Sequence, residues 1–546
     1  MTRDDLSPNL IRNMESKQID VDLSLSILSA YNRGEYDRFK PVEVGELPDV
    51  DGSTIVDFTG EPSLTIDAQA VRDRLGGLLP DELLADPAAL ATATADGSGD
   101  AQAGALVFDT EALERIGLLL MPRVAYGVLN GGSATSYADR TKNAGFSSDL
   151  LDLLDLEFNR LAELSEGAPK GVTPGFVNPD GSLGPSFLQL KMRSMLITAL
   201  RSRSAYRRAL GDAAAAAAMG RLPSPLAPMF QMTSHQTDDE LAKQYDRYRS
   251  DPLLADLIAV TGIDPTEVVG AVQPLISAFT HSDEGRPKRV FASAHGRDDE
   301  PIALPGGHGQ SFAVLKETYQ RLFDSGKRFV YLGNVDNLGF LPSPIGVAYL
   351  ALTGKQAAFD FAYKTPVDVK GGILVRDTDG RLSCADIGPA VSKEDVQTAE
   401  ESGKPILFNA ATGLFDLSFL TRNIDRIARD LPTRITDQDK DAGRYSQAEQ
   451  VTWEVVGMLD DFLVFSVSKW DRLLAAKLLL ETLMTSGLKT DDPAYPTSDD
   501  PSDDLRATAR KLNEGLTRKL EHDYAMRLEG ERWIPIPADE LEANWR

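Results

Sequence analysis

Val124-Ala-Tyr-Gly-Val-Leu-Asn-Gly-Gly-Ser-Ala-Thr-Ser136 is an apolar run that halts at Asn130, meets two glycines and passes into small and hydroxyl-bearing residues. An apolar run bounded in this way reads as a buried strand entering a tight turn. Without Cβ atoms in the turn, the backbone can approach a ligand closely. Backbone N–H groups exposed there, or at a helix start behind it, form a cradle for an anion. A glycine pair after a strand does not by itself distinguish a nucleotide loop from an ordinary turn. The surrounding segments have to decide.

Downstream, the pattern repeats. Pro228-Met-Phe-Gln-Met-Thr-Ser-His235 reads as a second buried strand with a polar end, followed by Thr237-Asp-Asp-Glu240 as a helix N-cap with acids in the first turn. A third strand is expected near Val268 to Gln273. Leu304-Pro-Gly-Gly-His-Gly309 is another glycine turn, ahead of a helix from about Ser311 to Asp324. Lys327-Arg-Phe-Val-Tyr-Leu-Gly333 has the clearest strand pattern and ends in Asn334-Val-Asp-Asn337. Ala358 to Tyr363 and Val369-Lys-Gly-Gly-Ile-Leu374 continue the series. Strands that alternate with helices and end in Gly, Asn, Asp or His predict an α/β fold, a Rossmann-like core on a mostly parallel or mixed doubly wound sheet. Ligands in that architecture sit at the carboxyl ends of the strands. Asn130, Ser234, the turn at His308 and Asp336 are therefore expected in one crevice.

Between the first two strands lie a leucine-rich helical stretch from Ser148 to Leu164, the turn Gly167-Ala-Pro-Lys-Gly171, and a long helix opening at Ser186-Phe-Leu-Gln-Leu-Lys-Met-Arg193. That helix carries Arg193, Arg201, Arg203, Arg207 and Arg208, read as a solvated basic face in preference to a phosphate site. The flanks differ in character. Residues 1–118 form an N-terminal region with a helix over Leu23 to Tyr31, a strand over Ser53 to Phe58 and no evident chemistry. Residues 119–486 form the expected catalytic domain, closing with an apolar helix over Leu473 to Met484. Residues 487–546 read as an acidic Pro/Ser linker and a charged helix from Leu505 to Leu528. Both terminal additions are expected to be mainly helical.

Composition limits the partners. With 42% hydrophobic residues, the 546-residue chain can bury a sizeable core. The formal net charge of −26 disfavours nucleic acid and anionic membrane, so any phosphate ligand needs positive charge gathered locally. A single cysteine, Cys384, cannot form an intrachain disulfide and fits a reducing compartment. One Cys and five His leave no Cys/His metal cluster. The start, Met-Thr-Arg-Asp-Asp, lacks the apolar core of a signal peptide, and no window approaches a membrane span. A cytoplasmic location is the expectation.

Taken together and in order, several segments resemble the UTP–glucose-1-phosphate uridylyltransferase (UDP-sugar pyrophosphorylase) family. Leu129-Asn-Gly-Gly-Ser-Ala-Thr-Ser136 is similar to its nucleotide loop, and Ala168-Pro-Lys-Gly171 with Phe187-Leu-Gln-Leu190 to its Gly-Pro-Lys and Phe-Leu-Asp-Leu elements. Met232-Thr-Ser-His-Gln-Thr237, Pro305-Gly-Gly-His-Gly309 and Asn334-Val-Asp-Asn-Leu338 resemble its later strand ends and turns. Lys364-Thr-Pro-Val-Asp-Val-Lys-Gly-Gly372, Leu407-Phe-Asn409 and Ser468-Lys469 complete the set, which runs from about Pro122 to Arg472. Two departures stand out. Ser133-Ala134 replaces the usual Leu-Gly, and a long insertion separates the glycine turn from Lys170. Lys142 is therefore a rival for the loop lysine; Lys170 is preferred because the Phe-Leu-x-Leu helix follows it. The β-helix rungs of glucose-type eukaryotic members are absent from the C-terminal stretch.

The resemblance implies the joining of UTP and a sugar 1-phosphate, glucose 1-phosphate first, with release of pyrophosphate. Galactose or N-acetylhexosamine 1-phosphate is the alternative substrate, and a binding protein without turnover the alternative class. It implies Mg²⁺ held by Asp336, with Lys170 and Lys469 as charges on phosphate oxygens. Asn130, Gly131, Gly132, Thr135, Met232, Gln273, Gly307 and His308 would contact the nucleotide. Asn334, Lys364, Gly371 and Asn409 would face the sugar phosphate. Each has an ordinary reading too: Asn334 and Asn337 as turn caps, Gly371-Gly372 as a strand bulge, His308 as a turn residue, Asp336 as a turn acid and Lys469 as half of a surface ion pair.

Overall fold

In the computed structural model, Val124–Leu129 is a fully buried strand paired in parallel with Phe329–Asn334 on one side and Leu226–Ser234 on the other. The structure describes residues 2–94, 104–132, 134, 137–365, 368, 370–499 and 504–545. Thr135, together with Ser133 and Ser136 of the glycine loop, lies outside them.

These strands are the middle of an eleven-stranded sheet. From one edge to the other it runs Ile55–Asp57, Phe462–Val467, Ala357–Tyr363, Leu407–Asp416, Phe329–Asn334, Val124–Leu129, Leu226–Ser234 and Val269–Gln273. All neighbours on this path are parallel except Leu407–Asp416, which is antiparallel to both of its partners. Gly372–Asp377, Leu382–Asp386 and Val44–Glu46 extend the sheet beside it. Helices lie on both faces, over two separate apolar layers. The mixed doubly wound sheet expected from the alternation is thus observed. Two of its strands, Val44–Glu46 and Ile55–Asp57, come from the N-terminal region.

One antiparallel strand in a parallel set has a useful consequence: its beginning lies beside its neighbours' ends. Asn409 pairs with Phe361 near the end of Ala357–Tyr363, and Thr412 with Gly333 near the end of Phe329–Asn334. Between them the register slips, Ala411 has φ +51°, and Asn409 Oδ1 accepts the Ala411 N–H at 2.8 Å. A bulge of this kind re-aims a side chain at a sheet rim. It delivers Asn409 to the rim where Asn334 also ends.

Several local expectations change. The long helix is Phe187–Leu210, opened by a reciprocal cap in which Ser186 Oγ accepts the Gln189 N–H and Gln189 Oε1 accepts the Ser186 N–H. Its first arginine is not solvated. Arg193 is fully buried and donates to the carbonyls of Leu253, Tyr524, Ala525 and Ile536 at 2.6–2.9 Å, with burial lowering its pKa to about 10. Arg203 likewise donates to Val260 O and Thr261 O. Thr237 does not cap the following helix; its hydroxyl accepts the Ser234 N–H. The apolar run after Lys469 breaks into helices Lys469–Arg472 and Leu479–Thr485. The intervening residues pair instead with the turn at Asn337. The charged helix expected to reach Leu528 stops near Asp523, and a hairpin of Met526–Glu529 with Arg532–Pro535 follows. No helix among the described residues is long and apolar enough to cross a membrane.

Candidate active site

At the carboxyl end of the sheet a cleft of about 530 Å³ opens between the antiparallel strand and the hairpin Thr433–Lys440/Gly443–Gln450. His308, Asn334, Asp336, Gly371 and Asn409 all line it. They come from four separate segments of the chain, and the sheet topology alone brings them together.

Asp336 follows the strand Phe329–Asn334 in a turn held from several directions. Asn337 Nδ2 donates to Arg472 O, and its Oδ1 accepts the N–H groups of Gly339 and Leu474. Asn337 is therefore a turn cap, as its ordinary reading had it. Asp336 itself is nearly buried, and Lys170 Nζ donates to its Oδ2 at 2.7 Å and also to Ala476 O. The ammonium lies 4.8 Å from the centre of the Tyr137 ring.

Lys170 reaches this place through its own backbone. Its N–H bonds to Gly132 O, and Ala134 N–H bonds to Ala168 O, so the Pro-Lys turn lies against the glycine loop despite the insertion. Lys142, by contrast, is an exposed residue in the first turn of Arg140–Phe146, its N–H bonded to Asp139. Asn130 is buried, with its N–H on Met232 O, its Nδ2 donating to Gln231 Oε1, and its Oδ1 without a donor among the described residues. A Cβ at Gly131 would meet Gln273 Oε1 and Thr233 at 3.5 Å, whereas one at Gly132 would meet nothing within 4 Å.

The second glycine turn closes over the first. Gln273 Nε2 donates to Gly307 O at 2.7 Å and to Gln310 Oε1 at 2.8 Å, so Gln273 joins the edge strand to the His-Gly turn. Gly307 has φ +81°, and a Cβ there would lie 2.3 Å from Gln450 O. Only glycine fits. His308 is held by Thr452, whose N–H lies 3.1 Å and hydroxyl 2.8 Å from Nδ1. Burial, helped by the charge of Lys477, lowers its pKa to about 4, so the ring is neutral at ordinary pH. Gly371 does not sit inside a strand. It precedes Gly372–Asp377 with φ +137°, and a Cβ there would strike the Phe408 ring at 2.6 Å.

Of the other expected residues, Asn130, Gly131, Gly132, Lys170, Ser234, Gln273 and Gly307 are not part of the cleft lining itself, and three more are engaged elsewhere. Met232 is packed in the apolar layer with Leu129, Phe230 and Phe312. Lys364 is tied to Glu400 at 2.5 Å. Lys469 is buried against Asp368, whose other oxygen takes the N–H and hydroxyl of Thr365.

Sequence reasoning passed over several residues. Lys477 lines the cleft, and the signal for it was present: with Glu481 it is one of two charges in an otherwise apolar run. Glu481 is half-buried and accepts the N–H groups of Leu478 and Lys477; burial raises its pKa, and those bonds, then the charges of Lys170 and Lys469, pull it back down. Of these lysines only Lys477 lines the cleft; Lys170 meets it through Asp336, and Lys469 is paired with Asp368. Arg434, paired with Glu454, and the backbone-led wall of Pro41 and Val42 lie elsewhere around it and carry no motif. Among the described residues no group of three or more His, Cys, Asp or Glu could hold a metal ion. A single carboxylate at a strand end suits a hard cation that takes its other ligands from phosphate and water.

Residues 288–486 match the family model for UTP–glucose-1-phosphate uridylyltransferase, which bears out the resemblance read from the sequence. The uridylyltransferase of Solanum tuberosum is 26% identical over 225 residues, 39% of this chain and 46% of that protein. That of Musa acuminata is 23% identical over 301 residues, 53% of this chain and 60% of its own length. The chain spans about half the length of the curated relatives it matches. Among solved structures, the UDP-N-acetylglucosamine pyrophosphorylase of Trypanosoma brucei superposes with a TM-score of 0.50 at 18% identity, over 75% of this chain and 70% of that one. A UDP-glucose pyrophosphorylase variant from Leishmania major gives 0.50 at 15% identity, over 91% and 82%. These likenesses show the fold. The family match includes His308, Asn334, Asp336, Gly371 and Asn409, while the glycine loop and Lys170 lie outside it.

Proposed function

We propose that the protein is a uridylyltransferase that joins UTP and a sugar 1-phosphate, with glucose 1-phosphate as the first candidate, and releases pyrophosphate. The observation that carries this reading is the convergence of His308, Asn334, Asp336, Gly371 and Asn409 on one cleft, with Lys170 bound to the Asp336 carboxylate at its edge. The phosphate oxygen of the sugar phosphate forms a bond to the α-phosphorus of UTP as the bond to the bridging β-phosphate oxygen breaks. That nucleophile is already anionic near neutral pH, so no side chain has to remove a proton. The work left to the chain is alignment and charge neutralisation.

Lys170 and Lys477 stand where they can neutralise phosphate oxygens, whereas Lys469 is engaged by Asp368. The glycine loop would cradle the nucleotide. Neutral His308 acts as a hydrogen-bonding group rather than a charge. Asn409, aimed by its bulge, and Gly371, kept free of a Cβ, face the sugar. Mg²⁺ bound at Asp336 would supply charge neutralisation between the phosphates. A second sugar is favoured by a specific observation: Cys384, Ala390, Phe408 and Trp453 give the sugar end apolar walls suited to an acetamido methyl.

The test is pyrophosphate release by the purified chain with UTP, Mg²⁺ and glucose, galactose and N-acetylglucosamine 1-phosphates in turn. Glucose 1-phosphate should give the highest kcat/KM. Binding of UDP-glucose with no turnover of any sugar would reject the enzyme reading.

A further inference from the structure

The turn that carries Asp336 rests on a buried cation. Lys191, on the inner face of Phe187–Leu210, has no solvent exposure, and its Nζ donates to Asn337 O at 2.9 Å and Phe340 O at 3.1 Å. Tyr126 Oη lies 3.4 Å away and itself donates to Phe340 O at 2.7 Å. The Phe340 ring is 4.9 Å from the ammonium. Tyr524 Oη donates to Leu338 O at 2.8 Å. The carbonyls of residues 337, 338 and 340 are thus each held from below by a buried side chain, and only Lys191 brings a charge. No carboxylate pairs directly with it among the described residues; burial lowers its pKa to about 7, and the charge of Asp336 acts the other way, favouring the ammonium.

Burying an ammonium without a paired acid is costly, and its carbonyl bonds repay only part of that cost. We infer that Lys191 is a positioning residue for Asp336: its ammonium spans Asn337 O and Phe340 O, fixes the turn, and so sets where the Asp336 carboxylate meets Lys170 and a metal-bound nucleotide. The functional part of this inference rests on the uridylyltransferase reading.

The molecule contains its own control. Lys327 is equally buried and donates to Pro122 O, Val124 O and Ser224 O, at the opposite end of the same strands, far from the cleft. The experiment compares Lys191→Met, Lys191→Gln and Tyr126→Phe with Lys327→Met. Two readouts are taken: amide hydrogen exchange of the peptide over residues 334–340, and the Mg²⁺ concentration giving half-maximal turnover at fixed UTP. Lys191→Met should speed exchange in that peptide and raise half-saturating Mg²⁺ by about tenfold or more, the effect typical of losing an outer-sphere partner of a metal ligand. Tyr126→Phe should move both in the same direction by less, and keeps the test alive if Lys191→Met does not fold. Lys327→Met should lower stability while moving neither. Unchanged exchange at 334–340 in Lys191→Gln and Tyr126→Phe, or equal shifts in Lys327→Met, would overturn the inference. Absence of turnover in the unmodified chain would instead reject the uridylyltransferase reading, and the exchange comparison would still decide whether Lys191 holds the turn.

Discussion

Lys170 and Asp336 are 166 residues apart in sequence, and their side chains meet at 2.7 Å over the rim of the central sheet. One comes from the Pro-Lys turn laid against the glycine loop, the other from the end of Phe329–Asn334. The pair joins the glycine-loop side of the site to the turn after Phe329–Asn334, and both members are nearly buried.

Because they touch, their contributions to turnover should not add. Lys170→Ala and Asp336→Asn are each expected to lower kcat by ~10²-fold or more, the scale of losing a preorganised electrostatic contact. The double variant should cost clearly less than the product of the two losses. Steady-state kinetics on the three proteins test this. An active Lys170→Ala beside a dead Lys142→Ala would assign the loop lysine to Lys142 instead.

The pH dependence of stability should carry the signature of His308. Above the ordinary imidazole value of 6.5, folded and unfolded chains both hold the ring neutral, and it adds no slope. Between that value and about 4 only the unfolded chain binds the proton, so stability falls as the pH is lowered. One such group contributes about 1.4 kcal/mol per pH unit within that window. Denaturant unfolding from pH 4 to 7 should show a shallower slope for His308→Gln than for the parent chain. Identical slopes would mean that the ring titrates normally.

Gly371→Ala probes the end of the cleft proposed to take the sugar. With φ +137° and the Phe408 ring 2.6 Å from the new Cβ, the substitution must shift backbone or ring. A cost of about 1–3 kcal/mol is expected, the range for strain at a special backbone position. In kinetics the KM for the sugar phosphate should rise while that for UTP changes little. A rise confined to UTP would place Gly371 on the nucleotide side.

Arg193 tests how the C-terminal segment is attached. Arg193→Met would take the Arg193 donor from the carbonyls of Leu253, Tyr524 and Ile536, and from that of Ala525, which keeps the Ile536 N–H. At about 1–3 kcal/mol for each unsatisfied group, a loss of several kcal/mol is expected before relaxation. Limited proteolysis should then cleave near the hairpin 526–535 under conditions that spare the parent chain. An unchanged digestion pattern would argue that packing of Tyr524 and Leu541 alone holds the segment.

Much of this site was legible in the linear chain because its signals are local. A run such as Val124–Leu129 buries both faces, so it must be apolar throughout, and a turn that meets a ligand needs glycine next to it. His308, Asn334 and Asp336 each stand directly after such a strand or turn. Where a local signal competed with distant partners, the reading failed. The apolar stretch after Lys469 has helical character, yet Asn337 takes the Leu474 N–H and Ala475 bridges to the turn, so the helix breaks and delivers Ala476 O and Lys477 to the cleft. Arg193 carries no mark separating it from Arg207 on the same helix; its burial depends on a hairpin more than 300 residues further on.

From the sequence alone came the class of sheet, several of its strands and the rim at which chemistry would gather; the order of the strands came from the structure. Periodicity and turn chemistry are properties of neighbouring residues, and they suffice for these. Tertiary structure alone decided the charge pairing: Lys170 on Asp336, Lys469 on Asp368, Lys364 on Glu400, and Lys191 beneath the Asp336 turn. The physical reason is the same throughout. A long lysine side chain can reach any acid or carbonyl the fold brings within several ångströms, and which one it meets depends on packing between segments that no local pattern encodes.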